Sequence, residues 1–353
     1  VAKFDQVLKV VELARIGVEM RASDIHLTVA RPPNFRIDGT LVGLEDYPAL
    51  TPDDTYKFAR ELMPDEKALH QIDEQGHADF SLSLPEVGRV RVNIYLQRGS
   101  YAIAIRIIPM IVPEIDSLGL PDVCKELPLK GSGLILVTGP TGSGKSTSLA
   151  AMINLINQSV KGNIITLEDP IEYMHRHGTC IINQREIGTD CPSFSQGLRA
   201  ALRQDPDVIL VGEMRDLDTI SIAMTAAETG HLVMATLHAA TAIQTVERVI
   251  DVFPPHQQDQ IRIQLANTLL GIISQQLIPR ADGQGRVLAC EVLMANSAVR
   301  NLIRDNKAFQ LNTVMQTGGN LGMITMEKSM KSFLDRGLIS AEEVKKRTVN
   351  PSQ

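Results

Sequence analysis

A chain of 353 residues has room for two or three domains; 44% hydrophobic content supports real cores, which must be aliphatic and Met-based because aromatics are only 4% and tryptophan is absent. The 35 basic and 41 acidic residues leave a net charge of −6 with no long basic run, which argues against a nucleic-acid partner. Cys124, Cys180, Cys191 and Cys290 are scattered without a C-x-x-C pair, excluding a zinc module or a disulfide framework and fitting a reducing cytoplasm. No apolar run reaches the ~18–20 residues of a membrane span, and no signal-peptide pattern opens the sequence, so a soluble intracellular protein is expected.

In chain order, Val7, Leu8, Val11, Leu13, Ala14 and Val18 recur at helical spacing and predict a helix over 3–20. Residues 25–29 alternate like a strand, and 35–37 followed by Asp38-Gly39 read as a strand entering a hairpin. A second helix is expected after the cap residue Thr51, with Pro52 at its first position and Asp53 and Asp54 behind it. Strands are expected at 78–84, 89–96 and 100–108; alternation in the second puts Arg89, Arg91 and Asn93 on one face and the valines on the other. Residues 1–108 thus read as a small α+β domain. Between Pro109 and Gly133 four prolines and three glycines mark a linker, 109–132, merging into a short helix near 121–127. Beyond it, strands at 134–137, 163–167, 208–211 and 232–236 alternate with helical patterns such as 195–203 and 217–228, which predicts a mostly parallel α/β sheet in a domain spanning 133–353. Ile261, Leu265, Leu269, Ile272 and Ile273 predict one long amphipathic helix, shorter helices follow at 297–304 and 325–336, and the charged tail 342–353 is expected to fray, so 255–353 reads as helical.

The strand at 134–137 breaks into Gly139-Pro140-Thr141-Gly142-Ser143-Gly144-Lys145-Ser146-Thr147, which fits G-x-x-x-x-G-K-[ST] and is followed by a helical pattern carrying Leu149, Met152, Ile153 and Ile156 on one face. Strand, glycine loop and helix in that order make a nucleoside-triphosphate site. The glycines let backbone N–H groups wrap the phosphates, the helix adds the positive end of its dipole, Lys145 supplies a mobile charge, and the Ser146 hydroxyl ligates Mg²⁺.

Hydrolysis needs acids to orient water and metal, and cations for the transferring phosphoryl. Glu213 ends the apolar strand at 208–211 as an acid ends a Walker B segment, with Gly212 where aspartate is usual, so Glu213 serves the metal, its water, or both. Glu168 and Asp169 end the strand after the P-loop helix; Glu168 is assigned as general base and Glu213 as the Mg²⁺ or water ligand, with the reverse left open. His231 and His238 are seven apart along a strand, point to opposite faces and do not share a metal; His238 is a candidate γ-phosphate sensor, and His231 is either functional or structural. Arg199 and Arg203, four apart on one helical face, are either surface ion pairs or phosphate-directed cations.

Four segments together resemble the Walker A, Asp-box, Walker B and His-box motifs of the secretion-type ATPases that serve type II secretion and type IV pili: 139–146, Ile165-Thr166-Leu167-Glu168-Asp169-Pro170-Ile171-Glu172, 197–215, and 229–238. Ser23-Asp24-Ile25-His26-Leu27 and Phe35-Arg36-Ile37-Asp38-Gly39 are similar to that family's PAS-like N-terminal domain. The resemblance covers nearly the whole chain. It implies a RecA-like ATPase domain, a homo-hexameric ring hydrolysing ATP with Mg²⁺, and Arg91 and Arg106 reaching the phosphates when the first domain closes on the second. Ser297-Ala298-Val299-Arg300-Asn301-Leu302-Ile303-Arg304 resembles a motif of the retraction ATPases, with Val299 where isoleucine is usual, Ala298, Val299, Leu302 and Ile303 as an apolar face, and Arg300 and Arg304 aligned on the other side. The four-cysteine insert and longer N-terminal region usual in assembly members have no counterpart here. The expectation is therefore a motor of pilus retraction and twitching motility, cytoplasmic at the inner-membrane pilus base, with a membrane-embedded platform protein as partner, no direct nucleic acid and no membrane span of its own. Replacing Arg300 and Arg304 is expected to impair retraction and spare hydrolysis. The alternatives are a pilus-assembly or type II secretion ATPase, a RecA-like nucleic-acid translocase, and an ATP-gated scaffold without turnover.

Overall fold

Short alternating runs set the architecture of the first part of the chain. The computed structural model describes residues 9–37, 39–63, 66–108 and 111–349. It divides into two units, Val1–Ile111 and Val112–Gln353. The first contains α1 (Val10–Glu19), β1 (Asp24–Leu27), β2 (Asn34–Ile37), β3 (Thr40–Gly43), α2 (Pro52–Leu62), α3 (Glu66–Gln75), β4 (His77–Leu84), β5 (Gly88–Gln97) and β6 (Ser100–Ile107). Val7, Leu8 and Asp38 of the expected elements lie outside the described residues. The six strands form one antiparallel sheet in the order β3-β2-β1-β6-β5-β4. Thr51 caps α2 as expected: its hydroxyl accepts the Asp54 N–H while the Asp54 carboxylate accepts the Thr51 N–H. α3 was not foreseen, because its buried Ala68 and Ile72 sit among charges and leave too short a stripe to announce a helix.

One face of this sheet buries Ile25, Phe35, Val92, Ile94 and Ile105 against Leu13 of α1, Phe58 of α2 and Ile72 of α3. Alternation leaves Arg89, Arg91 and Asn93 together on the opposite face of β5. There Arg91 stands opposite Arg106 of β6, Arg106 opposite Asp24 of β1, and Asp24 opposite Arg36 of β2, so three guanidiniums share one row with a single carboxylate.

The second unit runs α4 (Val123–Glu126), β7 (Gly133–Thr138), α5 (Lys145–Ser159), β8 (Asn163–Glu168), β9 (Ile181–Glu186), α6 (Phe194–Ala201), β10 (Val208–Val211), α7 (Leu217–Glu228), β11 (Leu232–Leu237), α8 (Ala242–Asp251), α9 (Pro255–Thr268), β12 (Leu269–Pro279), β13 (Arg286–Met294), α10 (Ser297–Arg304), α11 (Leu311–Thr317), α12 (Met326–Asp335) and α13 (Ala341–Val349). Its seven strands lie in the order β13-β12-β7-β11-β10-β8-β9, all parallel except β13. The central strands β7, β10 and β11 are buried along their whole length, as befits a parallel sheet covered on both faces. α7, α8 and α9 contribute to one core and α4 and α5 to the other. The four cysteines are free and buried; burial pushes the Cys124 thiol up to about 12 and Cys290 upward as well, so they serve as small apolar packing groups.

Three expectations are corrected. Most of the presumed linker 109–132 is folded: from Val112 the chain groups with the second unit, and Ile115, Leu120, Val123 and Leu127 are buried in one cluster with Leu149 and Met152 of α5. The tail does not fray at residue 342, since α13 packs Val344 against the Met330–Ile339 cluster and carries acids in its first turn and bases in its last. Finally, the long helix expected through Ile273 stops at Thr268, and Leu269, Ile272 and Ile273 enter the β12–β13 hairpin, so 255–353 is not purely helical.

The spacing of Ile261, Leu265 and Leu269 carries no stop signal because the stop is tertiary. The Arg300 guanidinium, on α10, donates to the carbonyls of Ala266, Asn267 (2.6 Å) and Leu269 (3.0 Å), and its Nε donates to Ala295 (3.2 Å). The carbonyls of Ala266 and Asn267 are among those that the end of α9 leaves orphaned. Arg300 therefore does not share a free polar face with Arg304, whose exposed side chain reaches Asn301 at 3.2 Å. Of the expected apolar face, Val299 and Ile303 are core, Leu302 is half-buried and Ala298 is exposed. Arg300→Ala is expected to cost about 3 kcal/mol of unfolding free energy in a denaturant titration and Arg304→Ala less than about 0.5 kcal/mol. Equal effects of the two changes would remove the capping role.

Candidate functional site

Because β7, β11, β10 and β8 are adjacent and parallel, their carboxyl ends fall along one edge of the sheet. The glycine loop leaves β7, His238 follows β11, Glu213 follows β10, and Glu168 ends β8. In the loop, Gly139 (φ 143°) has no room for a side chain: a Cβ there would lie 2.4 Å from the Gln275 carbonyl oxygen and 2.6 Å from Ser143 Oγ. Gly144 (φ 91°) is the left-handed residue that starts α5 and leaves that helix's first N–H groups facing the loop.

These ends enclose a cleft of about 460 Å³, lined by Thr141, Gly142, Gly144, Lys145, Ser146 and Thr147, and also by Glu168, Glu213 and His238. Gly139, Pro140 and Ser143 shape the loop behind that lining, and the Lys145 ammonium donates to the carbonyls of Gly139 (2.9 Å) and Pro140 (3.0 Å). Burial pushes the Lys145 ammonium down, opposed by the charges of Glu213 and Glu172. Burial works against the Glu213 carboxylate too, yet Arg215 (2.7 Å), His238 (3.1 Å) and Lys145 together hold it below the usual carboxylate range.

Glu168 has different surroundings. Its Oε1 accepts from Thr166 Oγ1 (2.6 Å) and Gln184 Nε2 (3.1 Å), and the carboxylate also accepts the backbone N–H of Glu172. Burial nonetheless outweighs these donors and raises its affinity for a proton, with the nearby Glu172 charge acting in the same direction. Glu172 itself is exposed in the cleft. Glu172 is not singled out by the sequence, because spacing in a loop does not say which carboxylate points inward. Leu277 and Arg286 also line the cleft and were missed because β12 and β13 were read as helix or not at all.

Some candidates of the second unit are not brought there. Arg199 and Arg203 line a separate hollow of about 510 Å³ with Asp218 and Thr225; Arg199 faces Asp218 at 3.7 Å, and Arg203 donates to the Arg199 carbonyl at 3.0 Å. The His231 ring packs back on its own helix end, with Nδ1 3.0 Å from the Ala226 carbonyl oxygen. Arg91 and Arg106 lie exposed on the first unit's sheet, and Arg106 Nε donates to Asp24 Oδ1 at 2.8 Å.

The Ser146 hydroxyl and the Glu213 carboxylate in one cleft are hard oxygen donors of the kind Mg²⁺ takes alongside phosphate and water, so the residues present fit that ion. Among the described residues no group of three or more His, Cys, Asp or Glu could hold a metal by itself, and no helix is long and apolar enough to cross a membrane.

The family model described as "Type II/IV secretion system protein" matches residues 10–346. The Pseudomonas aeruginosa protein described as "Type IV pilus retractation ATPase PilT" is 43% identical over 344 residues, covering 98% of this chain and 99% of that one. A "Twitching motility protein" of Neisseria gonorrhoeae is 45% identical over 319 residues, covering 90% and 84%. A solved structure, "Crystal Structure of the Pilus Retraction Motor PilT and Bound ADP", superposes with a TM-score of 0.90 at 52% identity, covering 96% of each chain. The two-unit architecture, the four strand-end motifs and these likenesses agree: the chain belongs to the type II/IV secretion ATPase family, within its PilT-type retraction branch.

Proposed function

We propose that this chain hydrolyses ATP with Mg²⁺ as the motor of type IV pilus retraction. The observation that carries the proposal is the convergence of Lys145, Glu172, Glu213 and His238 on one cleft at the carboxyl edge of a parallel sheet. In this reading the loop 139–147 binds the β and γ phosphates, and Lys145 exchanges its loop carbonyls for phosphate oxygens. Ser146 and Glu213 hold Mg²⁺, which neutralises developing phosphate charge when bound.

Water activation is assigned to Glu172 rather than Glu168. Glu172 is exposed in the cleft that Lys145 and Glu213 also line, and its charge bears on the Lys145 ammonium. Glu168 is committed to Thr166, Gln184 and the Glu172 N–H, and so supports the active carboxylate. His238, tied to Glu213, registers whether a γ-phosphate is present.

Finer features of the motor belong to the same proposal: a homo-hexamer, docking on a platform protein at the inner membrane, and closure of the first unit onto the nucleotide with Arg91 and Arg106 as the incoming charges. Like charges on facing strands cost stability, and one aspartate offsets them only in part, so the row retains positive charge suited to a polyphosphate. The deciding experiment is deletion of the gene with complementation: abundant but non-retracting pili support the reading, whereas absence of pili assigns the chain to assembly.

A further inference from the structure

β9, absent from the sequence reading, is the edge strand beside β8, and its Gln184 stands in register with Thr166. The Gln184 amide makes three hydrogen bonds, all to residues that flank Glu172. Its Nε2 donates to Glu168 Oε1 (3.1 Å) and to the Tyr173 carbonyl (2.8 Å), and its Oε1 accepts the His175 N–H (2.8 Å). Two acceptors on one side and a donor on the other fix the amide orientation, since a flip would set carbonyl against carboxylate. On the far side of the same loop the Tyr173 hydroxyl lies 2.9 Å from Thr147 Oγ1, in the first turn of α5.

We propose that Gln184 is a positioning residue. It fixes the loop 169–175, and with the Tyr173–Thr147 bond it sets the Glu172 carboxylate relative to the phosphate-binding helix. It is not among the residues that line the cleft. This deepens the hydrolytic reading and rests on its assignment of Glu172.

The test uses the full chain with two variants. Gln184→Met keeps length and apolar packing but removes all three hydrogen bonds; a carboxylate displaced by about an ångström costs on the order of 10²-fold in rate, so kcat is expected to fall ~30-fold or more while KM for ATP and the affinity for Mg·ADP stay within ~3-fold. Gln184→Glu places a second carboxylate beside Glu168; the pair shares a proton more readily as pH falls, restoring a donor at that position, so its activity relative to wild type is expected to rise between about pH 8 and about pH 6. A residue that merely filled space would produce neither the KM-against-kcat split nor the acid recovery. Amide hydrogen exchange over 169–175, measured with Mg·ADP, should accelerate in Gln184→Met. A kcat within threefold of wild type, or unchanged exchange in that loop, overturns the inference. Exchange needs no turnover. If the wild-type chain releases no phosphate while loop exchange still accelerates in the variant, loop fixing stands and the hydrolytic reading falls.

Discussion

Purified Lys145→Ala is expected to lose ATP turnover by about a thousandfold, because the one mobile cation of the loop faces the charge that grows in the transition state and no other described lysine lines the cleft. The substitution leaves α5 in place, since helix propensity favours alanine and the Lys145 side chain bonds only to two loop carbonyls. The loss should therefore appear in a steady-state phosphate-release assay on protein with wild-type helicity. Substantial turnover by such a variant would sink the assignment of the loop.

Glu172→Gln should separate binding from chemistry. The amide keeps the size of the side chain but cannot accept a proton from water, so kcat is expected to fall by a factor of ~10²–10⁴ with nucleotide affinity retained. Glu168→Gln is the informative partner: its carbonyl oxygen can still accept from Thr166, and its effect should stay near ~10-fold. If Glu168→Gln instead abolishes turnover while Glu172→Gln preserves it, the base is Glu168, as strand position alone indicated. Single-turnover measurements with both variants make the comparison independent of product release.

Particular elements show what the residues alone make legible and what they do not. The loop 139–147 was legible because glycines, lysine and serine at fixed offsets leave one geometry. Strands β7, β8, β10 and β11 were legible because buried parallel strands read as unbroken aliphatic runs. β9 was not, since Ile181-Ile182-Asn183-Gln184-Arg185-Glu186 is an edge strand with one mostly polar half, and its key residue is an uncharged amide. The stop of α9 was hidden because its cause, Arg300, lies more than thirty residues away and acts through backbone carbonyls. Arg199 lies in the last turn of α6 and Arg203 just past its end, so the helix face that their spacing implied is not formed, and spacing could not say which hollow the two would line.

The order of the strands is also a ruler. Neighbouring strands are ~4.8 Å apart, so measured from β7 the end of β11 lies about 5 Å away, β10 about 10 Å and β8 about 14 Å. In the proposed binding mode, a phosphate chain anchored at the end of β7 and extending across the edge would meet His238 first and Glu213 next, before reaching β8. The proposed discrimination of a triphosphate from a diphosphate would then fall to the two nearer graduations. The outermost one would take part through the segment that follows it, whose Asp169, Pro170 and Glu172 all line the cleft.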